Sequence, residues 1–493
     1  MPVYSAHRGI YNFRVRTPVT PTPTPAAANY LIVSDLHVRG GFENPTQGLY
    51  HFDAEFADFL RYYRLHRAST RPWTLIIAGD FIEFRYVTDL PTPGDRLLHG
   101  VTFSQSEMRY GAGTEADKSR WKLDRILRSS HPQLLLSLAR FIAEGNHVVV
   151  LRGNHDTEMI WPEVQEHLRR LIAEHHPADV SYMAMKEAVS QRLQFAPWFW
   201  YVPEVLYVEH GCQYDPFCSF EYFLHPVVPT RPTRIENSIS DLSIRYFANQ
   251  IKLLDAMAVE NIRSAGEYVV WVLRGNLAFI PRAVRLYAAM VRGIVAKSGR
   301  PDADAERGVC LEHERRLADA DARLGLRPGT TAAVHALHAT PLMRSVGRAL
   351  RFLGIDLLAC GSLLVGALAV MLAVSPHNVR LPAVGLSAMV GSVLALVGRR
   401  RARRILDYEN LRRIADRIGH RFSVPYVIFG HSHQAGRWPL ANGGTYFNVG
   451  TWVPLAKNAY FVYFALTGEG AERAGRLWRW NKPAARPEEF SRP

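Results

Sequence analysis

Two apolar runs set the strongest limit on how this chain can fold. Residues 357–376 contain no charged side chain, residues 381–398 contain none, and only the link 377–380 separates them. Each run is close to the roughly 18 to 20 residues that cross a bilayer as a helix. Arginines stand on both outer sides: Arg344, Arg348 and Arg351 before, and Arg399, Arg400, Arg401, Arg403 and Arg404 after. Basic flanks mark the cytoplasmic side of a membrane. Residues 351–404 are therefore expected to form a transmembrane helical hairpin in an inner or plasma membrane, touching lipid through 355–398, with both ends in the cytoplasm. A helical hairpin buried in a large soluble domain is the competing reading, supported by the glycines and by Asp356 at the edge.

The rest of the chain is too long for one core to organise easily, at 493 residues. A main domain carrying an insertion is expected. The net charge of +14 suits a nucleic-acid binder, a protein at an anionic membrane or one that handles phosphorylated molecules. Much of that excess flanks the apolar runs, where anionic lipid accounts for it, so nucleic acid is not the expected partner. Four cysteines, Cys212, Cys218, Cys310 and Cys360, are too few and too scattered for a disulfide framework. Residues 1–28 include Arg8, Arg14 and Arg16 and a Pro/Thr-rich stretch at 17–28, without an apolar signal core. They read as a lead-in and not as a cleaved secretion signal.

From Asn29 onward, short apolar runs end in polar clusters: NYLIVSD, TLIIAGD and HVVVLRGNHD. Each reads as a buried strand. Longer periodic segments at 52–66 and 116–144 read as helices laid on a sheet. Strand-like runs return at 205–209, 426–429, 445–449 and 460–464, after an interruption over roughly 220–423. Within it, 240–297 is apolar but studded with Arg263, Arg274, Arg282, Arg285 and Arg292 at helical intervals. It reads either as a soluble cap or as amphipathic surface resting on headgroups.

The polar clusters at the strand ends are Asp35-Leu36-His37, Gly79-Asp80, Gly153-Asn154-His155-Asp156 and Gly430-His431-Ser432-His433. Together they offer carboxylate, imidazole and amide donors, the set that suits two divalent ions side by side with one carboxylate between them. Asp35 and His37 stand two apart, which on an extended strand directs both side chains to one face. Alone, each short pattern arises often by chance. Their order and their positions after apolar runs make coincidence remote.

This set resembles the calcineurin-like metallophosphoesterase superfamily, whose pattern runs DxH, GD, GNH[DE], a lone His and then GHxH. The likeness covers roughly 29–215 and 424–467. The resemblance identifies His210, at the end of VLYVEH, as the lone histidine, and 445–452 as the closing strand and turn. It implies an α/β fold, a metallophosphoesterase-type β-sandwich flanked by helices, here with a large α-helical insertion containing the two-helix hairpin. The expected parts are a first catalytic portion at 29–219, the helical insertion at 220–350, the hairpin, a second catalytic portion at 405–475 and a tail at 476–493.

By resemblance, Asp35, His37 and His433 would hold one metal, Asn154, His210 and His431 the other, with Asp80 bridging. His155 would donate a proton to the leaving oxygen, and Asp156 would orient its imidazole. Manganese, iron and zinc all suit such donors. Arg152 reads equally as a phosphate contact or as a strand-end salt bridge, and Glu83 equally as support for the ligands or as a helix cap. His225, His335, His338 and His377 match no motif, and Cys212 reads as a small buried thiol.

The expected activity is metal-dependent hydrolysis of a phosphate monoester, diester or pyrophosphate, with lipid-linked phosphates among the candidate substrates. GDFIEF and the His210-Gly211 pair look somewhat like the UDP-2,3-diacylglucosamine hydrolases, which resemble GNRD where this chain has GNHD. A nuclease or cyclic-nucleotide phosphodiesterase and a catalytically silent membrane scaffold stay open as alternatives.

Overall fold

The computed structural model describes residues 29–40, 51–67, 71–250, 280–298, 302–374, 376–405, 408–453 and 460–490. The 1–28 lead-in lies outside them, as do Arg263 and Arg274. Fourteen strands are seen among the described residues: β1 (Asn29–Val33), β2 (Trp73–Ala78), β3 (His147–Leu151), β4 (Leu193–Ala196), β5 (Phe199–Val202), β6 (Leu206–Glu209), β7 (Val227–Val228), β8 (Arg231–Ile235), β9 (Tyr426–Phe429), β10 (Gly436–Pro439), β11 (Thr445–Asn448), β12 (Val462–Thr467), β13 (Ala474–Asn481) and β14 (Arg486–Glu489). They form a seven-stranded sheet in the order β14-β13-β12-β1-β2-β3-β4, a five-stranded sheet in the order β10-β11-β9-β6-β5 and the small β7-β8 hairpin. The centre of the large sheet, β1 to β4, is parallel, as is β11-β9-β6 in the other.

Strand alternation explains the layering. Tyr30 and Ile32 of β1 point into the space between the two sheets, where they meet Ile76, Val149, Val208, Ile428 and Phe447. Leu31 and Val33 point the other way, toward helices. The helix Asp53–Leu65 answers with Phe56, Phe59, Leu60 and Tyr63, spaced to form one stripe. Burying each such side chain contributes roughly 1.5–3 kcal/mol. On the outer face of the second sheet, Tyr207, Val427 and Phe429 pack against Ile414, Ala415 and Ile418 of the helix Tyr408–Phe422. The result is a sandwich of two sheets with helices on both outer faces.

Two expected elements differ from the observed ones. The helix expected over 116–144 is broken into Ala116–Leu123, a wider turn at Asp124–Arg128, and Pro132–Ala143. Pro132 cannot donate to a preceding helical turn, so it opens a new helix instead. Residues within the expected tail supply β13 and β14, with Leu477 facing the space between the sheets and Trp480, three residues on, facing the helix layer. The pattern was too short to stand out beside the arginines Arg476 and Arg479.

The described parts of 220–350 pack onto this frame. Leu317 of the helix Ala303–Leu324 and Val334 of the helix Thr330–His335 join the core cluster over the second sheet. The helices Ile239–Tyr246, Ile280–Lys297 and Val346–Phe352 share a smaller cluster through Ile239, Leu242, Met290, Ile294 and Ala349. Next come the helices Ile355–Val374 and His377–Ile405, packed on each other. The segments Ile355–Val374 and Val379–Gly398 are long and apolar enough to cross a membrane. No residue of the first is buried, and Leu363 and Leu381 are 75% and 80% exposed. Exposed apolar surface on this scale marks an interaction site. Arg344, expected among the basic flank, is instead paired with Glu306 at 2.6 Å and Glu221 at 3.5 Å.

Candidate metal centre

The backbone past the ends of β1 and β2 continues as a pinned pair. Asp35 N–H donates to the Gly79 carbonyl, His37 N–H to Asp80, Val38 N–H to Phe81, and Glu83 N–H back to Val38. This brings the Asp35-His37 loop alongside Asp80 and Glu83. On the other sheet, Gly430 N–H donates to the His210 carbonyl, so the end of β6 lies beside the GHSH loop. The two loop pairs meet because β1 and β6 belong to facing sheets. The Asp35 carbonyl accepts from Thr451 Oγ1 at 2.9 Å and from Trp452 N–H, and Asn448 Nδ2 donates to the Gly430 carbonyl at 2.7 Å. The closing turn thus ties down loops from both sides.

The side chains converge in two groups. Asp35 Oδ1 lies 3.0 Å from His433 Nε2 and 3.8 Å from His37 Nε2, and the two imidazole nitrogens are 3.3 Å apart. His210 Nε2 lies 3.1 Å from Asp80 Oδ2 and 3.1 Å from Asn154 Oδ1. Asp80 Oδ2 is also 3.9 Å from His37 Nε2, which puts this carboxylate between the groups. Its other oxygen accepts the His155 N–H at 2.8 Å. His431 stands with its ring 5.2 Å from that of His210, and its Nε2 faces Asp215 Oδ2 at 3.3 Å. Asp215, Cys218 and His431 form a further ligand-type group beside the second one.

These donors fit divalent ions. Four nitrogen or oxygen ligands about 2.0–2.2 Å from a tetrahedral zinc-like centre are themselves roughly 3.3–3.6 Å apart, close to the 3.0–3.8 Å spacing of the Asp35, His37 and His433 atoms. Asp35 Oδ1 is buried, and among the described residues no donor meets it in good hydrogen-bond geometry. Burial alone would raise the Asp35 carboxyl, but the His433 and His210 charges outweigh it and hold it well below its ordinary range. Burial opposes charge on His210, yet Asp80 and Asp35 carry it up to about 9. Asp156 is pushed up to about 6 by burial and by Asp80. A site so rich in buried carboxylate calls for positive charge.

The backbone at the site is strained. Of the nine non-glycine residues with positive φ among the described residues, five are Asp35, His37, Asp80, His431 and His433. Such conformations cost about 1–3 kcal/mol each and persist where the surroundings over-determine them. The motif glycines have a steric reason. A Cβ on Gly153 would stand 2.1 Å from Asp80 Oδ1, and one on Gly430 would stand 1.9 Å from Ser34 Oγ.

Asp156 and Arg152 depart from their expected contacts, and Glu83 fills both of the roles open to it. Asp156 does not supply the expected orienting contact to His155: its oxygens accept the Gly153 and Phe81 N–H groups at 2.6 and 2.8 Å. That place falls to Glu83, whose Oε2 lies 2.7 Å from His155 Nδ1 and 2.9 Å from His37 Nδ1. Its Oε1 also accepts from Arg85 N–H, so Glu83 caps a short turn as well as supporting the ligands. Burial opposes charge on His155, but Glu83 and Asp80 lift it to about 9. For Arg152 no salt bridge is seen among the described residues. It is buried, its guanidinium bonded to the Pro197 and Phe223 carbonyls and laid over the Phe223 ring at 4.2 Å.

Arg85 and Asp215 carried no signal that sequence reasoning used. Arg85 pairs with Glu158 at 2.9 Å and Asp241 at 2.7 Å and donates to the Asn154 carbonyl at 3.2 Å. This fastens the GNHD loop to the helix Ile239–Tyr246.

The family model described as Calcineurin-like phosphoesterase matches residues 28–224. That family comprises metal-dependent phosphoric ester hydrolases that typically bind two divalent metals. No curated protein matches the chain. His431 and His433 lie beyond the matched stretch, and the fold brings them back to it across the insertion.

Proposed function

We propose that this chain, with its calcineurin-like phosphoesterase domain at 28–224, is a membrane-anchored, two-metal phosphoesterase that hydrolyses a phosphate monoester, diester or pyrophosphate, with a lipid-linked phosphate the favoured substrate. The convergence of Asp35, His37 and His433 on one side of Asp80 and of Asn154 and His210 on the other carries this reading. Asp35, His37 and His433 would hold one ion, Asn154, His210 and His431 the second, and Asp80 would bridge. Bound there, two divalent cations supply Lewis acidity to phosphoryl oxygens and a water of lowered pKa.

The chain's own groups do the rest. His155, on the loop that carries Asn154, is the proton donor for the leaving oxygen. Glu83 fixes its ring through Nδ1. Glu83 holds His37 by the same nitrogen, so that its Nε2 is the one aimed at Asp35 and His433. The hairpin Ile355–Val374 and Val379–Gly398 provides the anchor, with both flanks and the metal centre on the cytoplasmic side.

The test is hydrolysis of p-nitrophenyl phosphate and bis-p-nitrophenyl phosphate by detergent-purified protein with manganese, beside Asp80→Ala. Turnover that needs the metal and falls at least about 10²-fold in Asp80→Ala supports the reading. A wild type as inactive as Asp80→Ala, with no bound metal, would assign the chain to a silent scaffold.

A further inference from the structure

Three parts of the molecule meet where the first apolar helix begins. Phe217, on the loop after β6, stacks on Phe352 with ring centres 5.1 Å apart. Tyr287 of the helix Ile280–Lys297 donates its O–H to the Leu353 carbonyl. The apolar helix starts two residues later, at Ile355. The same loop leads straight to the metal centre: Phe217 N–H donates to Asp215 Oδ1 at 2.9 Å, and Asp215 Oδ2 faces His431 Nε2 at 3.3 Å.

The helix Ile280–Lys297 turns one side to the protein and another to solvent. Met290 and Ile294 are buried against the helices Ile239–Tyr246 and Val346–Phe352. Val284, Ala288 and Val295 lie on the opposite side at spacings of four and seven, and Arg285 and Arg292 stand one turn position beside them. All five are exposed, Val284 by 60%. The helix contains no acidic residue. Among the described residues no ion pair is seen for Arg282, Arg285 or Arg292; Arg282 donates to the Gln250 carbonyl and Arg285 to its own helix at Pro281. A basic surface interleaved with valines is matched by an anionic headgroup layer, which accepts both the charges and the apolar side chains. A lipid surface is favoured over a protein or nucleic-acid partner because the same helix is bonded through Tyr287 to Leu353, two residues before the apolar helix begins.

We propose that the outer face of Ile280–Lys297 rests on anionic phospholipid headgroups, a second membrane contact that holds the Asp215–Phe217 edge of the metal centre at the bilayer surface and so admits a phosphate ester carried by a lipid. The proposal rests on the membrane-anchored reading above. Removing the two charges in Arg285→Gln with Arg292→Gln shifts the bound-to-lifted ratio of this helix by roughly 25-fold, at about fivefold per charge.

The experiment places a spin label at Val284→Cys, and separately at Val370→Cys, in full-length protein carrying Cys310→Ser and Cys360→Ser. Each is reconstituted in phosphatidylcholine bilayers with and without one part in three of phosphatidylglycerol. Depth is read by collision with oxygen and with a water-soluble nickel chelate. The expected result is a Val284 label at headgroup depth in anionic bilayers, which moves into water in phosphatidylcholine alone and in the double glutamine variant. Hydrolysis of p-nitrophenyl phosphate stays unchanged in that variant. A Val284 label in water in every bilayer, or coupled to a second copy, overturns the proposal while a lipid-buried Val370 label preserves the anchor. A Val370 label in water overturns the anchor itself.

Discussion

At the scale of single residues, Glu83 is the most informative position. It is buried, and one carboxylate oxygen serves both an expected metal ligand and the expected proton donor. Burial would raise its pKa, but His155 and then His37 outweigh that and hold it well below the ordinary range. Glu83→Gln preserves shape but removes the charge that orients both rings. Support of this kind is worth roughly 10–100-fold in metal affinity or activity. The loss is expected to be larger for an alkyl phosphate than for a p-nitrophenyl ester, because only the poor leaving group needs the proton. Rates on both esters, with metal per chain measured alongside, check this; equal losses with full metal content would remove Glu83 from the proton path. The motif residues were legible because a metal centre needs particular donors at strand ends. Asp215 was not, and Glu83 stayed undecided between ligand support and a cap, since a carboxylate in a loop is usually a cap or a surface group, and only the folded distances separate these two from the rest.

At the scale of elements, the β7-β8 hairpin and its surroundings hold a second cluster of charge. Arg344 is paired with Glu306 and Glu221, and Glu236, just past β8, sits close by. Burial pushes the Glu236 carboxyl from 4.5 to about 7, with Arg344 pulling the other way. A carboxyl raised on folding binds its proton more tightly in the native state. Its contribution is therefore intact below pH 4.5 and lost as pH rises through 7. Glu236→Gln is expected to raise the melting temperature at pH 8 and to leave it nearly unchanged at pH 4. Thermal unfolding at the two pH values measures it, and a larger gain at pH 4 would contradict the assignment. Elements with long clean periodicity, such as Asp53–Leu65 and β1 to β3, were readable from the chain. The interrupted helix at Pro132 and the short pair β13-β14 were not, because one is divided by a local break and the other shows only a few alternations.

At the scale of the whole molecule, Asp35 and His433 come before and after the apolar hairpin, yet stand 3.0 Å apart. A chain that closes one site from both sides of a membrane segment must cross an even number of times. Cysteines placed at Arg348 and Glu409 in sealed vesicles are expected to react with an impermeant maleimide from the same side. Opposite accessibility would be incompatible with this centre and a spanning hairpin together. The sequence by itself determined the donor set, the strands that carry it and the two apolar segments, since each of these is a local pattern of residue types. Tertiary structure alone decided which carboxylate supports which imidazole, that Arg152 is spent on backbone carbonyls, and that the basic helix, the site loop and the start of the apolar helix share one edge. Those contacts join residues far apart in the chain, and no local pattern encodes the packing that brings them within a few ångströms.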